Sequence, residues 1–225
     1  MINILLETGT MLTGSLIVAI MAMAFTIIFA INSFRIKQRR DYSFLNEFPF
    51  ELTQGVGISF TRYMHALVLL FSTMMIFFGF YRIEYVLAHF SGLVFLISWT
   101  ATAFLIYLIF IVRFSSVKRH LMISALFFLF TILNGLMYGL YLQLSPVFMI
   151  DKTYAIISYI LAALALMFVV NPKLSHWSYM DKIEQQDGTI IVLRPKLFVL
   201  AFTEWALIII NILLMINIYF SSFAS

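Results

Sequence analysis

The sequence predicts an all-α integral membrane protein. It is a six-helix transmembrane bundle with both termini extracellular and a small cytoplasmic β-hairpin between helices 5 and 6. Three observations carry this. Hydrophobic residues make up 63% of the chain and charged residues 11%, against roughly half and a quarter in soluble domains. The apolar residues gather into runs of about 18–25, enough to cross ~30 Å of hydrocarbon at ~1.5 Å per residue. Twelve of the 14 Lys and Arg fall in alternate connections between those runs, the asymmetry that orients membrane helices.

The expected spans are 11–34, 64–81, 89–112, 121–144, 153–170 and 197–220, within a single transmembrane domain covering 1–225. No Lys or Arg precedes the first run, so it reads as a retained helix, since a secretory signal starts with a basic region. The basic residues concentrate in connections 35–63, 113–120 and 171–196. The other set of connections holds only Arg82 and Lys152. The positive-inside rule therefore places the three basic connections in the cytoplasm and both termini outside, in the plasma membrane. The four prolines, Pro49, Pro146, Pro172 and Pro195, all lie in connections, so the spans are expected to be unbroken helices. In 171–196, Asp187-Gly188 between β-prone flanks predicts the hairpin, because both positions of a type I′ turn need positive φ.

Lipid sets no penalty on Leu or Phe, so buried faces show as small and polar stripes. Each span has one. The stripes include Ala19, Ala22, Thr26 and Ala30 in the first span, and His65, Ser72 and Gly79 in the second. In the fourth they include Thr131, Asn134, Tyr138 and Tyr141. Gly135 and Gly139, four apart, predict a close helix approach, internal rather than a dimer seam.

Several function classes drop out. Without cysteine there is no disulfide framework, thiolate metal site or cysteine nucleophile. The pI near 9.3 is accounted for by membrane orientation, so no nucleic acid partner is expected. The H-E-x-x-H, G-x-S-x-G and Walker A signatures are missing, and no enzyme activity, metal or cofactor is expected.

Two groups of candidate residues remain. The first is an intramembrane polar site made of Glu204, Asn211, Asn134, His65 and Arg62. Glu204 is the acidic residue deepest in any apolar run, about 12 Å along its helix from Lys196. A carboxylate at that depth needs a partner or a proton. By depth its partners are Arg62 and His65, or Arg119 and His120. It acts either as a staple between helices or as a proton or cation site. Asn134 and Asn211 share the midplane and either bond to each other or line a polar cavity. The second group is Phe44, Phe48, Pro49 and Phe50 beside Arg39 and Arg40. It is expected either to lie in the lipid headgroup layer or to dock a partner.

The reading of function is a polytopic membrane protein of sensory, immunity or complex-subunit type. Its partners are the bilayer and another protein at the cytoplasmic loops, and its composition is of bacterial character. The alternative is a small-solute or ion transporter or channel using Glu204, Asn134 and Asn211. A polar vestibule reaching Glu204 and Asn211 favours transport, and a closed bundle favours the first reading.

Overall fold

The computed structural model describes residues 2–53, 58–80, 89–112, 117–144, 152–176, 181–184 and 190–222. Among the described residues, six helices are long and apolar enough to cross a membrane. They are α1 (Ile2–Gln38), α2 (Ile58–Phe80), α3 (Phe90–Ile111), α4 (Val117–Leu144), α5 (Lys152–Val169) and α6 (Val199–Ser221). The chain is thus a multi-pass membrane bundle. Two short strands, β1 (Asp181–Glu184) and β2 (Ile190–Leu193), pair antiparallel with Asp181 opposite Leu193 and Glu184 opposite Ile190. The Asp187-Gly188 turn lies outside the described residues, as do Arg82, Arg113 and Asp151.

Two helices run beyond their apolar stretches. α1 continues past Phe34 through Arg35 and Lys37, whose charges suit the negative end of a helix dipole. It stops at Arg39, which takes a left-handed φ of 51° and turns the chain out of the helix. α4 begins at Val117, so Lys118, Arg119 and His120 form its first turn.

Successive helices pack side by side from α1 to α6, and α6 also touches α1, α2 and α4. It is the central helix. Within its most apolar window 72% of residues are buried, against 56% or less in the other five. The small and polar stripes are the buried faces. Ala19, Ala22, Thr26 and Ala30 of α1 are covered, as are Ser98 and Thr102 of α3 and Ser158, Ala162 and Ala165 of α5. Gly135 makes an internal contact, because a Cβ there would meet Ser158 O at 2.8 Å and the Ala162 methyl at 2.9 Å. The glycine lets α4 and α5 approach backbone to backbone.

The segment after α1 folds back into the bundle. Residues Pro49–Thr53 form a 3₁₀ turn packed on α1, α3 and α6, and Phe48, Phe50 and Leu52 are fully buried.

Candidate functional site

α4 and α6 run parallel, and their facing polar residues meet at three levels. At the first level Ser124 Oγ donates to Glu204 Oε1 at 2.6 Å. At the second, Asn211 Nδ2 donates to Thr131 Oγ1 at 2.8 Å, and Asn134 Nδ2 lies 3.3 Å from Asn211 Oδ1 and 2.9 Å from Thr102 Oγ1 of α3. At the third, the Tyr138 and Ser221 hydroxyls are 2.5 Å apart. Ser124, Thr131 and Tyr138 are seven residues apart, as are Glu204 and Asn211. Seven residues are about two helical turns, so each set lies along one side of its helix.

Glu204 and His120 are both fully buried, with His120 Nε2 2.9 Å from Glu204 Oε1. On its other side His120 Nδ1 faces the Val112 carbonyl at 3.3 Å. A carbonyl only accepts, so Nδ1 carries a proton. One further proton shared between Nε2 and Oε1 would complete the pair. On nitrogen it makes an imidazolium–carboxylate pair, and on oxygen an imidazole–carboxylic acid pair. The sum of charges is zero in both cases, which is what permits the pair to sit away from water. Ser124 can serve either form. Its hydroxyl also lies 2.9 Å from the His120 carbonyl, so its one proton can be donated to Oε1 or to that carbonyl, both of them acceptors in either form.

Above the pair sits an aromatic cap. The Phe48 and Phe50 rings meet the His120 ring at 5.1 and 5.2 Å, nearly edge-on, and Phe48 also packs on Phe198 at 5.4 Å. Polar contacts hold the cap in place. Tyr42 OH donates to the Glu47 or Phe48 carbonyl, at 3.0 and 2.9 Å, and Trp205 Nε1 is 3.0 Å from both Tyr42 OH and Glu47 O. Burial pushes the Tyr42 phenol well above its ordinary value, so it stays a donor. Glu47 is ion-paired with Arg40 and accepts from Ser43 N. Glu51 accepts from Phe48 N at 2.8 Å and from Arg194 at 2.7 Å. The hydrogen bond to Glu51 raises Arg194 further above its already high value, so it stays cationic. The Phe198 amide donates to Leu45 O at 2.8 Å. The chain after α1 is therefore fastened to the chain entering α6.

The structure brings some of the sequence-chosen residues together and separates others. Asn134 and Asn211 meet. Glu204 pairs with His120 and Ser124 instead of Arg62 or His65. Arg62 is exposed and His65 half-buried. The reason is that His120 and Ser124, four apart on one face of α4, lie together beside α6 at the level of the carboxylate. The second group splits. Arg39, Arg40 and Phe44 are exposed, but Phe48, Pro49 and Phe50 are buried. Those three are correspondingly covered by the fold, Phe48 and Phe50 by the rings of His120 and Phe198.

Sequence reading missed Ser124, Trp205, Tyr42 and Asn217, whose amide donates to Ser158 Oγ at 2.8 Å and Tyr154 O at 3.0 Å. Ser124 was visible seven residues before Thr131. Asn217 lies six residues after Asn211, about 240° around the helix. Polar residues on two sides of α6 are the mark of a helix with neighbours all round.

Comparison with known proteins finds no matching family model, no similar curated protein and no similar solved structure.

Proposed function

We propose that this chain is a non-catalytic multi-pass protein of the plasma membrane, with both termini outside. In this reading its basic loops form a rigid cytoplasmic platform for another protein. One observation carries the reading: among the described residues, the chain after α1 is fastened to the chain entering α6. Arg194 reaches Glu51, and Phe198 N reaches Leu45 O. Surface loops ordinarily lose entropy when a partner orders them. Here 39–53 and 194–198 are already held together, and Arg39 and Leu45 remain exposed upon them, with Phe44 exposed at one edge of its packing on Trp205.

The interior supports the same reading over transport. Glu204 and Asn211 are fully buried, Asn134 is bonded to Asn211, and aromatic rings cover His120. The arrangement is that of a closed bundle.

The test uses the exposed residues. Arg39→Asn with Leu45→Asp should release a co-purifying protein at least tenfold while the bundle melts as before. Undiminished recovery would overturn the platform. For orientation, the chain has no cysteine, so Ser222→Cys and Lys118→Cys can be probed singly in intact cells with a membrane-impermeant maleimide. Ser222→Cys should label and Lys118→Cys should label only after permeabilisation. The opposite pattern would invert the topology.

A further inference from the structure

We propose a binding site for one acyl chain of an anionic phospholipid on the outer side of α4, near its first turns. A cavity of about 420 Å³ opens there, lined by Leu121, Ser124, Ala125 and Leu129 of α4 with Leu174 and Leu200 opposite. That size lies in the range of small-molecule sites. The lining is apolar except for Ser124, whose hydroxyl is already committed to Glu204 and the His120 carbonyl. The occupant within the cavity is therefore a hydrocarbon, not a solute that needs hydrogen bonds.

The headgroup is identified by charge. The lining residues of α4 follow a three- and four-residue step, and one step back from Leu121 along that face is Lys118. At the other wall, Lys173 directly precedes Leu174. Both lysines are exposed. Two exposed cations thus adjoin lining residues in the chain, at the end of the bundle where the basic residues gather, while the lining itself offers hydrocarbon contact. An anionic phospholipid matches both parts, and cations near a membrane surface attract such headgroups. The site does not depend on the platform reading, since that reading rests on the Arg194–Glu51 and Phe198–Leu45 contacts and none of those residues lines the cavity.

The experiment is native mass spectrometry of the full chain, released from nanodiscs holding equal phosphatidylglycerol and phosphatidylcholine. The wild type should retain one lipid after annular lipid is stripped, with phosphatidylglycerol favoured roughly tenfold by the two lysines. Ala125→Trp places an indole in the cavity from an exposed position and should abolish the retained lipid. Lys118→Glu with Lys173→Glu should keep the cavity but lose the headgroup preference. Three outcomes would overturn the site: no retained lipid in the wild type, equal retention of both lipids by the wild type, or undiminished retention by Ala125→Trp. The wild-type ratio needs no variant, so the proposal is decided even if a substitution impairs folding.

Discussion

His120 Nε2 and Glu204 Oε1 stand 2.9 Å apart with neither side chain exposed, so each is the other's charge partner. Removing one partner strands the other. His120→Ala should destabilise the bundle by about 3–5 kcal/mol, the usual cost of breaking a buried pair. Glu204→Gln, which keeps the shape and the bond to Ser124, should cost less. His120→Leu combined with Glu204→Leu should recover much of the loss. Thermal unfolding in detergent measures all three. Equal losses for His120→Ala and the double variant would show that the two groups are not coupled.

Trp99 and Gly79 supply a second prediction. Trp99 Nε1 is 2.5 Å from Met75 O, the carbonyl four residues before Gly79. A Cβ on Gly79 would sit 2.5 Å from Trp99 Cδ1, a ring atom fixed by that bond. Gly79→Ala should cost about 1–3 kcal/mol as an overpacked contact. Trp99→Phe should relieve part of it, so the two changes together should cost less than their sum. Strict additivity in melting experiments would show that they do not share the space.

Tyr42 predicts an alkaline effect. Burial raises its pKa in the folded protein, so the native state holds the proton more tightly than the unfolded chain. Its contribution is complete below the unfolded value of about 10 and is lost as pH rises through the higher folded value. The melting temperature of the wild type should fall above about pH 10, and Tyr42→Phe should lower it at neutral pH but flatten that slope. The same slope in both proteins would place the alkaline transition elsewhere.

Asn211 joins Thr131, Asn134 and the Leu207 carbonyl. Buried hydrogen bonds between membrane helices are worth about 0.6 kcal/mol on average and at most about 1.7. Asn211→Leu should therefore destabilise by roughly 1–3 kcal/mol, and Asn211→Asp, which loses the amide donor, by at least as much. Urea or detergent unfolding reads the difference. No loss in Asn211→Leu would mean that the second level of the α4–α6 seam is dispensable.

Much of this architecture is legible in the sequence, because lipid imposes simple rules. Run length places the six helices, and small and polar stripes show which face of α1, α3, α4 and α5 is covered. The depth of Glu204 and the need to neutralise it were equally legible. Its partner was not. Arg62, His65, Arg119 and His120 all fit by depth, and the choice depends on which helix stands beside α6 and how it is rotated. The fate of Phe48 and Phe50 was hidden for a related reason. A Phe-rich stretch beside arginines suits a headgroup layer, and only the rings of His120 and Phe198, far away in sequence, make a better burial place.

The fastening of the two long loops also sets a clock. Asn46 and Arg194 are 148 residues apart in sequence, and a ribosome adding about 5–20 residues per second needs roughly 7–30 s to cover that distance. During that interval α1 and α2 can already be in the bilayer, while Phe48 and Phe50 lack His120 for about the first half and Phe198 for the whole of it. Two bare phenylalanines beside a cluster of arginines then mark every chain whose synthesis has not reached α6. The mark disappears only when the arriving helix lets the cap close.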